Sequence, residues 1–150
     1  MNKTLYDLDF PLWADQTANL LRQNRWSEVD LEHLIEEIED LGNRHRDAIR
    51  SHLTRLLMHW LKWQHQPQKR SNSWRGSIKE SRKQLQRLQR DYPSLKSYTC
   101  EVFEQCYQDA REDAADETEL EISHFPEQSA LTVEQLLEES WLQQFDENNV

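Results

Sequence analysis

Asp30–Gln66 reads DLEHLIEEIEDLGNRHRDAIRSHLTRLLMHWLKWQHQ, 37 residues without a proline. An α-helix turns about 100° per residue, and at that step Leu31, Ile35, Ile38, Ile49, Leu53, Leu56 and Trp60 fall within about 40° of one line. Leu34 and Trp63 flank that line, and Gly42 lies on it. A helix break at Gly42 would normally reset the phase, and the phase is kept. The stretch therefore predicts one long helix over about residues 30–66, roughly 50 Å at 1.5 Å per residue. Asp30 is its expected cap. Two helices broken at Gly42-Asn43 is the competing reading, because Gly-Asn is also a helix stop.

The rest of the chain agrees with an all-α protein. Its 150 residues include only 2 glycines and 4 prolines, too few for the turns of a sandwich or barrel. Asp9 caps a helix with Pro11 in its first turn, running to about Gln23 and stopping at Asn24. Its apolar face is Leu12, Trp13, Ala14, Thr17, Leu20 and Leu21, and a short corner at Arg25–Val29 follows. After a loop at Gln66–Ser73, Ser73 is expected to cap a third helix with the stripe Trp74, Ile78, Ser81, Leu85 and Leu88. Ser94 is expected to cap a fourth, with Leu95, Thr99, Val102, Cys106 and Ala110 inward. That helix turns acidic and is expected to fray between Asp109 and Glu121. Thr132-Val133-Glu134-Gln135 matches a capping box and opens a short C-terminal helix through Leu136, Leu137 and Trp141. The prediction is one all-helical domain over 1–145, a bundle around the long helix, with a disordered tail at 146–150.

Charge is segregated. Residues 1–42 carry 3 basic and 10 acidic side chains, 43–99 carry 14 and 3, and 100–150 carry 1 and 15, within a net charge of −10. The basic middle is the main functional signal. Arg44, Arg55, Lys69, Arg70, Arg75, Lys79, Arg82, Lys83 and Arg87 fall on a helical hairpin over 44–90, with Trp74 at its loop. A basic face with an aromatic side chain can hold phosphates and stack a base. It can equally hold a protein partner, or be neutralised internally by the acidic first and fourth helices. The overall negative charge opposes long-range attraction of nucleic acid.

His45, His52 and His59 recur every seven residues beside the apolar line. Seven residues rise about 10 Å, too far for two ligands of one ion, so partly buried rings donating hydrogen bonds are the expected role. Asp30-x-x-His33 and Glu121-x-x-His124 fit a carboxylate-x-x-His pattern, but one lies at a helix start and the other in a loop. No cofactor is expected. No Gly-rich phosphate loop, Gly-x-Ser-x-Gly elbow or Cys-x-x-Cys pair is present. Cys100 and Cys106 are not spaced to share a helix face, so a mutual disulfide is not expected and a reducing cytoplasm is the default setting. No apolar run suggests a membrane span or a signal peptide.

Short blocks in a fixed order carry a family resemblance: Leu5-Tyr6-Asp7 with Asp9-Phe10 and Trp13; Asp30 through Gly42; and Leu56 through Gln64. They continue with Trp74, Ile78 and Ser81-Arg82; Pro93-Ser94-Leu95; Tyr107 with Ala110-Arg111; and Phe125-Pro126 ahead of Thr132 to Leu137. In these blocks the chain resembles the bacterial domain-of-unknown-function family twenty-nine, common in cyanobacteria. The resemblance implies a compact all-α protein and no defined reaction. Where many relatives carry Cys-Pro after the Phe-Pro, this chain has Ser129-Ala130, and the proline common after the final helix is replaced at Gln143.

On these grounds the expected function is that of a non-catalytic intracellular interaction protein, binding itself or another protein. Nucleic-acid binding through the 44–90 hairpin is the alternative, and a metal-dependent enzyme using the histidine ridge is the third reading.

Overall fold

A computed structural model describes residues 2–146. It is an all-α bundle with one long central helix, and no strand occurs among the described residues. The helices are α1 (Leu5–Leu8), α2 (Phe10–Arg22), α3 (Leu31–His65), α4 (Asn72–Asp91), α5 (Leu95–Thr118), α6 (Val133–Leu137) and α7 (Glu139–Leu142). Single 3₁₀ turns sit at Trp26–Glu28, Pro67–Lys69, Ile122–His124 and Gln143–Phe145. The long helix is continuous through Gly42, as the unbroken phase of its stripe predicts. The chain's internal contacts divide it into two compact units, residues 1–44 and 45–150, and α3 contributes to both.

The N-terminal unit is built by local capping. Thr4 and Asp7 form a capping box that starts α1. The Asp9 carboxylate accepts from the Leu12 amide at 3.1 Å and opens α2. Asn24, at φ 57°, ends α2. Its amide donates to the Leu21 carbonyl at 3.1 Å, and the Arg25 amide reaches back to Leu20 at 2.9 Å. That pair of bonds is the Schellman stop, and asparagine tolerates the left-handed backbone it needs. Only Trp13 and Thr17 are buried on α2. On α3, Leu31, Ile35 and Ile38 are 61, 47 and 58% exposed. The apolar line of the long helix is therefore not covered along its whole length. The line is buried from Ile49 onward and open before Gly42.

The C-terminal unit holds a conventional core. Ile49, Leu53, Leu56, Leu57, Trp60, Leu61 and Trp63 of α3 meet Ile78, Leu85 and Leu88 of α4 and Val102, Cys106, Tyr107, Ala110 and Ala114 of α5. Phe125, Leu136, Trp141 and Phe145 close it from the C-terminal segment. Ser71, not Ser73, caps α4 by accepting from the Trp74 amide at 3.2 Å, so the helix starts earlier than expected. Ser94 makes no side-chain cap bond. The fourth helix does not fray at Asp109: α5 continues to Thr118 and ends at Glu119, whose φ is 58°. Burial of Ala110 and Ala114 anchors its inner face while the acidic residues remain outside. The capping box at Thr132 and Gln135 forms as predicted. Except for Asp146, the expected disordered tail lies outside the described residues.

Candidate functional site

Two surfaces stand out, one in each unit. In the N-terminal unit, α2 and the first part of α3 form an open apolar groove of about 350 Å³. Phe10, Trp13, Ala14, Thr17, Ala18 and Leu21 line one wall; Leu34, Glu37, Ile38, Leu41 and Arg44 line the other. The Trp13 indole N–H is buried and has no acceptor among the described residues. Beside the groove, Leu31, Ile35 and Ile38 continue the apolar surface outward. Eight of the ten large apolar side chains exposed among the described residues belong to residues 8–41. Single exposed leucines are ordinary, whereas eight exposed large apolar side chains within one unit are not.

An aromatic and acidic network holds α1 onto α3. The Tyr6 hydroxyl donates to the Glu37 carboxylate. Its ring stacks on His33 with centroids 4.0 Å apart and an 11° interplanar angle. Trp13 and Phe10 meet the Tyr6 ring edge-on at 4.9 and 5.6 Å. The His33 Nδ1 lies 2.6 Å from Asp30 Oδ2. The bond to Glu37 pushes the Tyr6 hydroxyl up to about 12, because ionisation would place a second negative charge beside the carboxylate. The bond to Asp30 raises the His33 pKa and lowers that of Asp30, each stabilising the other's charged form. These residues come from sequence blocks read as helix starts and acidic first turns. Their meeting was not legible locally. The signal available was width: Leu34 and Leu41 extend the apolar arc beyond what one packing face requires.

The basic residues are divided by the structure. Arg82 is 4% exposed. Its guanidinium donates to the Leu137 carbonyl at 2.8 Å and to the Leu136 carbonyl, Gln86 and Glu139 at 3.3 Å. Arg75 is 7% exposed and donates to Asn72 at 2.8 Å. Arg70 donates to the Trp63 carbonyl at 2.9 Å and lies over the Trp63 ring. Arg75 and Arg82 are therefore removed from any accessible face, since both point into the unit they help close. Trp74 is half-buried against the core with Lys62 over its ring at 4.7 Å, which is a correction to its reading as an open stacking platform. Lys79 meets Asp146 at 3.4 Å. Arg55 is exposed and donates to Ser77 at 3.4 Å. Arg44, Lys69, Lys83 and Arg87 are exposed.

Part of the basic stretch does face acidic residues. Arg50, Arg55, Asp109, Glu112, Asp113, Asp116 and Glu117 line an open cleft of about 810 Å³ between α3 and α5. Lys62 Nζ sits 2.5 Å from Glu117. Burial and then the neighbouring carboxylates raise the pKa of Asp113. The histidine ridge is spread out: His45 stacks on Tyr92 at 4.2 Å, and His59 Nδ1 lies 2.9 Å from the Arg55 carbonyl. Burial lowers the pKa of His52 and His59, favouring neutral rings. Among the described residues no three His, Cys, Asp or Glu side chains converge to hold a metal ion. No described helix is long and apolar enough to cross a membrane.

Comparison with known proteins adds one finding. Neither a curated protein nor a solved structure matches the chain. The model of the family described as "Domain of unknown function DUF29" matches residues 5–142, from the start of α1 to the end of α7. That span includes both the groove and the basic helix, and the chain belongs to the DUF29 family.

Proposed function

We propose that this chain is a non-catalytic protein-interaction module that docks its partner through the N-terminal unit. The observation that carries this reading is the exposed apolar face of α3 at Leu31, Ile35 and Ile38, beside the α2–α3 groove. The same helical line is fully covered from Ile49 onward, so these residues have the chemistry of a core without its cover. A bacterial cytoplasmic setting belongs to this reading and fits the free thiols of Cys100 and Cys106. The test replaces Leu31, Ile35 and Ile38 together by Gln and compares the full chain with the variant. The expected result is a wild-type chain that self-associates in sedimentation or retains a defined protein that the variant loses. Identical monomers with identical retained proteins would refute it.

A second reading keeps nucleic acid as the partner of the basic hairpin. It is favoured by Lys83 and Arg87, exposed four residues apart on α4 and hence on one side of the helix. Retention of labelled DNA or RNA at low salt, lost in Lys83→Glu/Arg87→Glu, is its expected outcome. Equal retention by wild type and variant removes it.

A further inference from the structure

We infer that the docking face of the N-terminal unit receives a basic amphipathic helix of another protein; this rests on the interaction-module reading above. Two helices with an open apolar seam between them suit an α-helix laid into the groove, its apolar residues at i, i+3, i+4 and i+7 as anchors. Phe10, Leu21, Ile38 and Leu41 give the groove its apolar walls. The charge around it selects the partner. Residues 1–42 carry 10 acidic and 3 basic side chains. On α3 itself Glu32, Glu36, Glu39 and Asp40 are all exposed, interleaved with the exposed Leu31, Ile35 and Ile38. An incoming helix flanked by Lys and Arg meets opposite charge over Glu32–Asp40, with Glu37 in the groove wall and Arg44 at the groove's far end.

The same charges disfavour the other occupants. Two copies meeting through this face would set the four carboxylates of one against those of the other. Nor does the rest of the chain offer a matching helix. The basic α4 has its apolar residues Ile78, Leu85 and Leu88 inside its own core. Beyond residue 44 the exposed large apolar side chains among those described are Tyr92 and Ile122. Anionic lipid and nucleic acid are repelled by the acidic rim.

The test titrates the full-length chain with three designed peptides, followed by calorimetry. The first is amphipathic, with Leu at positions i, i+3, i+4 and i+7 throughout and Lys elsewhere. The second has the same pattern with Glu for Lys. The third has the Leu/Lys composition with the leucines scattered round the helix. The first peptide is expected to bind, more weakly as salt is raised. Its affinity should fall about tenfold or more in Leu31→Gln/Ile35→Gln/Ile38→Gln, as loss of interface anchors does. Glu36→Gln/Glu39→Gln/Asp40→Asn should weaken it and flatten the salt dependence. The scattered peptide measures attraction to the acidic α5 and should be indifferent to the apolar variant. All changed residues are exposed, so unchanged thermal melting verifies folding. Failure of the first peptide to bind, equal binding of the Glu peptide, or full affinity in the apolar variant overturns the inference. Salt-enhanced self-association lost in the apolar variant would overturn it while leaving the interaction-module reading in place.

Discussion

Arg82→Leu separates a structural arginine from a surface one. The side chain is 5% exposed, and its guanidinium holds the Leu136 and Leu137 carbonyls at the end of α6. Those carbonyls have no partner within their own helix, as at every helix C-terminus. Gln86 Nε2 also reaches Leu137 at 3.3 Å, so that oxygen keeps one donor after the substitution, and Leu136 loses its bond from Arg82. The ion pair with Glu139 adds little, because Glu139 is 79% exposed and solvent screens it. Hydrogen bonds to charged groups contribute about 1.5–3 kcal/mol each, and an orphaned buried acceptor costs about 1–3 kcal/mol. Two such bonds, partly offset by removing a buried charge and retaining Gln86, make the expected loss about 3 kcal/mol. For a chain of this size each kcal/mol is worth about 2–4 °C, so the melting midpoint should fall by about 6–12 °C. Lys83→Leu, one residue along and exposed, should stay within about 0.5 kcal/mol of wild type. Circular dichroism melting gives the global effect. Amide exchange at Val133–Leu137 shows whether the C-terminal segment detaches first. A melting midpoint for Arg82→Leu equal to that of Lys83→Leu, with unchanged exchange in α6, would refute the clamp.

Two positions on one helical line should respond to very different extents: Leu53→Ala, 1% exposed, should cost about 2–5 kcal/mol in chemical denaturation. Ile38→Ala, 58% exposed, should cost under about 0.5 kcal/mol. The Tyr6 hydroxyl, raised from 10.0 to about 12, stabilises its unit fully below pH 10 and loses that contribution as pH rises towards 12. Resistance of the N-terminal unit to chemical denaturation should therefore fall over that interval, and by less in Tyr6→Phe. The His33–Asp30 pair has two limbs. His33, raised above 6.5, contributes below that pH and loses its share as pH climbs through the higher folded value. Asp30, lowered below 3.8, contributes above that pH and loses its share as pH falls through the folded value. Stability of the N-terminal unit, followed by histidine NMR and amide exchange, should be greatest between those limits and flatter in His33→Gln.

Much of the fold was legible because its causes are local. Asp9 and Thr132 cap by reaching amides three residues on, and Asn24 stops α2 through its own backbone angle. Periodicity identified the stripes of α4 and α5 correctly, since a helix that buries one face repeats it every three or four residues. The shift of the α4 cap to Ser71 shows the limit: two serines were equally good caps, and only one had its oxygen at the Trp74 amide. The acidic run from Asp109 does not show that α5 continues to Thr118; buried Ala110 and Ala114 hold the inner face of that run against the core.

The candidate site was less legible. Composition marked the basic hairpin, but charge does not reveal which side chains turn inward. Arg82 and Lys83 are neighbours with the same sign; one reaches carbonyls 54 and 55 residues away, the other meets solvent. The sequence by itself determined an all-helical chain, the caps at Asp9 and Thr132 and one unbroken apolar line from Leu31 to Trp60. Only the tertiary structure decided where that line is covered. Hydrophobic period is a property of one segment, whereas burial depends on which distant segments lie opposite it. Beyond Ile49 those segments are α4, α5 and the C-terminal turns; at Leu31, Ile35 and Ile38 the line is left open.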